Sequence, residues 1–156
     1  MKISIPGRFD LNIKNLLLDY NGTIALDGKL IKGVEKRLKL IKESGINIFV
    51  LTADTHGTVA EECESLPLQI KVFNNGEARF AKRKIAEELD GKLCAAIGNG
   101  FNDALMFEES ALSIVILGNE GCSPVALRNA DIVCKSIEDA LDLFLNESRI
   151  IATLRG

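Results

Sequence analysis

Asp19, Thr52, Lys82 and Asp103 are the residues of this chain whose types could do chemistry together. Three of them close apolar runs. LLLDYNGT delivers Asp19 to the end of a greasy segment and then breaks at Asn21-Gly22. VLTAD ends on Thr52, Ala53 and Asp54, and AIGNGFND ends on Asn99, Asn102 and Asp103. A fourth run ends VILGNEG. Singly, each has a plain structural reading. An aspartate after a strand caps a helix or forms a turn, GNGFND could cap its own following helix, and Lys82 could be a solvated lysine. Together they suggest more. Asp19 and Asp103 can share a hard cation that keeps several waters, as magnesium does. A threonine hydroxyl, a lysine and backbone amides can hold phosphate oxygens. An aspartate can itself attack phosphorus and form an acyl phosphate, provided a cation offsets its repulsion from the phosphate dianion. The chemistry that fits is magnesium-assisted phosphoryl transfer.

Such residues need a frame that gathers them. Buried-type strands are predicted at Leu16–Asp19, Ile46–Leu51, Ile70–Phe73, Leu93–Ile97, Ser113–Leu117 and Asp131–Cys134. Helical spacing falls between them, at Val34–Glu43, Thr58–Ser65, Ala81–Leu89, Asp103–Glu109, Pro124–Arg128 and Ser136–Phe144. In Ala81–Leu89 the inward positions are read as Ile85 and Leu89. Gly45 closes the first helix and Pro67 the second. ISI is read as a short edge segment ending at Pro6-Gly7. The turn-rich stretch from Asn21 to Lys32, with Asp27-Gly28 inside it, reads as a hairpin flap. Alternating strands and helices imply an α/β fold: a Rossmann-like three-layer α/β/α core with a mostly parallel sheet. Open parallel sheets bind ligands beyond the carboxyl ends of their strands, so the polar run ends should converge on one edge.

The 156 residues make about one domain, and residues 1–156 are expected to form a single one. Hydrophobic residues make up 47%, which argues against disorder. A net charge of −3 does not mark a nucleic-acid binder. MKISIPGRFD has no long apolar core, so no signal peptide is expected, and no apolar run is long enough to span a membrane. The four cysteines form no CxxC pair, Cys94 and Cys134 sit in apolar runs, and a reducing cytoplasm fits. The one histidine, His56, rules out a site built from several imidazoles and is placed at the site mouth or at a helix start. Tyr20 is expected to pack beneath the loop. Arg79–Lys84 reads as a solvated helix start, or as a basic run that favours an acidic substrate. The apolar tail RIIATLRG is expected to dock on the core or on a neighbouring subunit.

In order, these motifs resemble the haloacid dehalogenase superfamily of phosphatases and phosphotransferases, and within it the P-type ATPase phosphorylation domain and its small soluble relatives. The family's Asp-x-Asp-Gly-Thr, or Asp-Lys-Thr-Gly-Thr in the pumps, is similar to Asp19-Tyr20-Asn21-Gly22-Thr23. The pumps' Thr-Gly-Asp resembles Thr52-Ala53-Asp54. Their helix-start lysine resembles Lys82, with Lys84 as the alternative register. Gly-Asp-Gly-x-Asn-Asp resembles Gly98 to Asp103, and ALSIVILGNEG to ALRNADIV resembles the segment beyond that motif in the pumps. The likeness runs from about residue 14 to 145. It implies a core without a cap domain, since the flap leads almost at once into the first helix. It implies a small phosphorylated substrate and Mg2+, held by Asp19, the Asn21 carbonyl, Asn99 and Asp103. Asp19 would be the nucleophile. Thr52 and Lys82 would hold the phosphoryl group, Ala53, Asp54 and Asn102 would belong with them to the substrate-binding set, and Asn102 would orient the loop or Lys82.

Two carboxylates of the pattern are replaced. The residue at position 21 is usually the aspartate that protonates the leaving group and then activates water, and asparagine moves no proton that way. A missing general acid or base typically costs 10²- to 10⁴-fold. A slow phosphatase, a phosphotransferase-like domain and a non-catalytic phosphate-ligand or partner-binding protein all fit, and a regulatory or oligomeric module fits less well. Asn99 stands where the family often has an aspartate near the metal, so metal affinity should fall. Both changes occur as Asn-Gly, the dipeptide most prone to deamidate, which would restore an aspartate at position 21. An open site without a lid could admit a large substrate or a covering partner, and the short chain allows a homo-oligomer.

Overall fold

The computed structural model describes residues 1–53, 58–73 and 75–156. The chain opens with β1 (Lys2–Ile5) and β2 (Phe9–Asn12), followed by β3 (Asn15–Asp19), the flap strands β4 (Ala25–Leu26) and β5 (Lys29–Leu30), and α1 (Val34–Glu43). Next come β6 (Asn47–Thr52), α2 (Thr58–Glu62), β7 (Gln69–Val72), α3 (Ala78–Glu88), β8 (Cys94–Gly98) and α4 (Ala104–Glu109). The chain continues through β9 (Leu112–Ile116), α5 (Pro124–Arg128), β10 (Ile132–Cys134), α6 (Ile137–Leu145) and α7 (Glu147–Leu154). Six strands form one sheet in the order β10-β9-β8-β3-β6-β7, and every neighbouring pair in it is parallel.

All five residues of β3, of β8 and of β9 are buried, which is what a parallel strand covered on both faces requires. The side-chain period of two splits β3 between two cores. Leu16 and Leu18 join the helices α1, α2, α6 and α7 on one face. Leu17 joins Ala86 of α3, Met106 and Phe107 of α4 and Ala126 of α5 on the other. Helix α1 buries Val34, Leu38 and Ile41, one stripe at helical spacing. It stops at Gly45, whose φ of 92° is left-handed, with the Gly45 amide donating to the Lys42 carbonyl. Ser136 caps α6 by accepting from the Asp139 amide at 3.1 Å.

The flap lies where the turn residues place it: β4 and β5 pair antiparallel around Asp27-Gly28, and the Tyr20 hydroxyl reaches beneath it to the Gly28 carbonyl at 2.9 Å. Only Ile31, Lys32 and Gly33 separate the flap from α1, so no cap domain is inserted there.

The N-terminal end of the chain departs from the sequence reading, and the C-terminal end takes the first of its two expected positions. The first residues are not an edge of the main sheet. β1 and β2 make a separate antiparallel hairpin across Pro6-Gly7, and its Ile3, Ile5 and Leu11 are buried. The apolar tail is helix α7, which packs Ile150 and Leu154 into the same core as the hairpin and so docks on this chain. Two weakly patterned segments cover each other here, and neither has a periodicity strong enough to announce itself. Among the described residues, no helix is long and apolar enough to cross a membrane.

Candidate active site

Because the sheet is parallel, Asp19, Thr52, Gly98 and Ile116 close their strands on one edge. The chain runs outward from β3 through β6 to β7, then returns to the other side of β3 with β8. That reversal is the switch point at which open α/β sheets bind ligands. Asp19 ends one of the two strands that flank it, and the loop carrying Asn99 and Asp103 follows the other.

Lys82 occupies the centre. Helix α3 begins at Ala78, three residues before the predicted start, and its inward line is Ala78, Lys82 and Ala86. Ile85 and Leu89 flank that line and are half-buried. The solvated-lysine reading of position 82 fails, since Lys82 has no exposed surface. Its Nζ donates to Asp103 Oδ1 at 2.6 Å and to Asp19 Oδ1. Lys84, the other register, lies on the surface with 75% of its side chain exposed and pairs with Glu88. Arg79 is not simply solvated either, because its guanidinium stacks 4.6 Å from the Phe101 ring centre.

Asp103 is fully buried and also bound on its other oxygen. Oδ2 accepts from the amides of Asn99 at 3.0 Å and Gly100 at 2.8 Å. This close embrace needs glycine at 98, because a Cβ there would overlap the Asp103 carboxylate. Gly98→Ala should displace that carboxylate and lower any turnover by about 10²-fold, the scale of an ångström's misplacement, while steady-state kinetics and a thermal melt separate lost geometry from lost fold.

Thr23 is the site residue that sequence reasoning left without a role, although it stands inside the Asp19–Thr23 motif. Its buried hydroxyl lies 3.3 Å from Asp19 Oδ2 and 3.4 Å from Asn99 Oδ1. The Asn99 amide nitrogen donates to the Gly121 carbonyl at 3.1 Å, which leaves the amide oxygen on the Thr23 hydroxyl. Gly22 makes this approach possible with a φ of 76°, and a Cβ there would strike the Asn99 side chain. Thr52 is buried at the end of β6, and Ala53 follows it, half-buried. Asn102 makes no side-chain hydrogen bond to Lys82, and its Oδ1 lies against Gly100 instead. Asp54 and His56 lie outside the described residues.

Asn21 is exposed at the start of the flap. The amide that would have to attack its side chain during deamidation, Gly22 N–H, donates to the Ala25 carbonyl at 2.8 Å. At the second Asn-Gly, the Gly100 amide is held by Asp103. Both nucleophilic nitrogens are engaged, so the fold opposes the conversion that the bare dipeptides favour.

Burial pushes the Asp19 carboxyl up to about 6, with the neighbouring Asp103 charge adding to it and Lys82 pulling the other way. Burial opposes the charged form of Lys82, but the two carboxylates outweigh it and hold its pKa above the usual lysine range. Two carboxylates against one ammonium leave the pocket floor net negative. Both carboxylates touch one nitrogen, so they stand near enough to share a cation. With the Asn99 oxygen joined to Asp19 through the Thr23 hydroxyl, the donors are all hard oxygens, and one or two carboxylates is the number magnesium commonly takes. The set fits such an ion.

The family model for haloacid dehalogenase-like hydrolases matches residues 7–110. An uncharacterised protein of Methanocaldococcus jannaschii is 46% identical over 84 residues, 51% of this chain and 90% of that protein. A soluble P-type ATPase-like phosphatase of the same organism is 29% identical over 123 residues, covering 78% of this chain. The match spans only 45% of that phosphatase's length. Among solved structures, the 3-deoxy-D-manno-octulosonate 8-phosphate phosphatase of Moraxella catarrhalis, in complex with magnesium ion, phosphate ion and a KDO molecule, superposes with a TM-score of 0.68. It is 21% identical, with 92% of this chain and 94% of that one covered, and at that identity the likeness is one of fold. With the motifs in family order and at one sheet edge, the chain belongs to the haloacid dehalogenase-like hydrolases.

Proposed function

We propose that residues 1–156 form a single-domain, magnesium-dependent phosphomonoester hydrolase that works through an aspartyl phosphate on Asp19. The observation that carries this reading is the shared contact of Asp19 and Asp103 with one buried ammonium at the switch point of the sheet. The magnesium-bound phosphatase of the same fold, and the soluble phosphatase relative, support it. Free thiols at Cys63, Cys94, Cys122 and Cys134 support a cytoplasmic setting.

In this reading Asp19, the Asn21 carbonyl, Asn99 and Asp103 would hold Mg2+, which supplies positive charge against the phosphate oxygens. One Asp19 oxygen forms a bond to phosphorus as the bond from phosphorus to the alcohol oxygen breaks. Thr52 and Lys82 hold the phosphoryl oxygens, Ala53 and Asp54 belong to the substrate-binding segment that follows Thr52, and Asn102 keeps the loop ahead of Asp103 in shape. The departing alkoxide takes its proton from water, because Asn21 has none to give. Water then cleaves the acyl phosphate, releasing inorganic phosphate and restoring Asp19. Without a base at position 21 this second step is slow, so phosphoenzyme should accumulate.

The test is hydrolysis of 4-nitrophenyl phosphate by the full chain, with magnesium and with the metal chelated, alongside intact-mass detection of a phosphorylated protein. Metal-dependent turnover with a phosphorylated species supports the reading, and no turnover with no adduct ends it. The exposed amide of Asn21 favours a second reading, a phosphate-ligand binder with little turnover, which predicts phosphate binding without hydrolysis. Asn21→Asp separates the two: on a working hydrolase it should raise turnover by about 10²-fold or more, read as kcat, whereas an inert binder would gain nothing.

A further inference from the structure

The flap, the loop after β9 and the start of α6 line a half-open cavity of about 230 Å³. Leu26 and Ile31 wall it from the flap side, and Ile116 from the end of β9. Gly22 and Thr23 form its inner end. Thr23 Oγ1 is 3.3 Å from Asp19 Oδ2, so the cavity begins one side chain away from the proposed nucleophile. An apolar cavity of about 150 Å³ holds a benzene molecule, so this one has room for a six-membered ring with small substituents.

Its charge narrows the choice further. One ammonium, Lys135, lines the cavity beside two carboxylates, Glu120 and Glu138. None of the three takes part in an ion pair among the described residues. The balance is negative, on a site whose floor is already negative. An acidic leaving group would meet repulsion there, and a neutral one would not.

We propose that this pocket receives the alcohol half of the substrate and selects phosphomonoesters that carry a neutral ring over acidic ones or ones with no ring. The inference rests on the phosphatase reading for the position of the phosphate. Occupancy of the cavity, however, can be measured without turnover.

The probes are benzylphosphonate, methylphosphonate and 4-carboxybenzylphosphonate, titrated calorimetrically into the full chain with magnesium. Benzylphosphonate should bind at least tenfold tighter than methylphosphonate, and the carboxylated ring should lose most of that gain. Leu26→Trp, which fills the cavity from the flap, should cut the benzyl-to-methyl ratio below threefold. Leu40→Trp, on the exposed face of α1, should leave the ratio intact. If circular dichroism shows that Leu26→Trp does not fold, Ile31→Phe fills the same space. Equal binding of the benzyl and methyl probes, no binding of either, or equal loss in the two tryptophan variants overturns the proposal. Benzyl selectivity without hydrolysis of phenyl phosphate keeps the cavity and removes the phosphatase. Hydrolysis without selectivity does the reverse.

Discussion

Asp19→Asn is expected to abolish phosphoryl turnover, by at least about 10³-fold, while leaving the fold intact. The carboxylate oxygen that would bond to phosphorus is gone, and an amide is no substitute nucleophile. The same substitution should change stability in a direction set by the displaced carboxyl. Asp19 holds its proton up to about 6 in the folded chain, against 3.8 ordinarily, with burial as the main cause. A raised acid pKa means that the folded state binds the proton more tightly, so the metal-free protein loses stability as pH rises from about 4 through 6. Each unit of displacement is worth about 1.4 kcal/mol. Asp19→Asn removes that slope and should therefore melt higher than wild type at pH 7.5 without metal. Magnesium should raise the melting temperature of wild type and leave the variant nearly unmoved. Thermal melts at pH 4.5 and 7.5, with and without magnesium, read all three effects. A variant that hydrolyses aryl phosphate at the wild-type rate would remove Asp19 from the mechanism.

Lys82→Met carries the largest expected cost in stability. Methionine fits the apolar stem of the lysine, but it leaves Asp19 and Asp103 facing each other with no cation. Removing one partner of a buried charge network typically costs about 3–5 kcal/mol, and one of the two carboxylates must then keep a proton. The deficit should be greatest at neutral pH and shrink in acid as Asp19, whose carboxyl is raised to about 6 by burial, takes up its proton. Lys82 itself contributes fully at neutral pH, because its own pKa is raised and its charge is lost only in strong alkali. Magnesium, which Asp19 and Asp103 would hold, should recover part of the loss by supplying positive charge to the two carboxylates. Urea unfolding at pH 5 and 7.5, with and without the metal, measures this. A variant as stable as wild type at pH 7.5 would mean that the buried triad is not what holds this edge together.

The local grammar of the chain was enough for most of the frame. Apolar runs that stop abruptly at Asp19, Thr52 and Gly98 define strands whose ends must face a ligand, because a parallel sheet sends every carboxyl end to one edge. Asp27-Gly28 gives the flap, and the short span to Val34 leaves no room for a cap. These features are set within a few residues, by turn chemistry and periodicity.

Other features came only with the tertiary structure. Lys82 sits in a run of charged residues that looks solvated by composition, and its burial follows from lying on the Ala78–Ala86 line of a helix that starts early. Its partners lie 63 and 21 residues away, a separation that no local pattern encodes. The link from Thr23 to Asn99 spans 76 residues and depends on the close approach that Gly22 allows. The β1–β2 hairpin and α7 meet from opposite ends of the sequence, and each is recognisable only by the surface the other covers. The sequence by itself determined which residues reach the edge of the sheet. Which of them are buried, and which share the Lys82 ammonium, was decided by packing, because desolvation and charge pairing depend on neighbours in space.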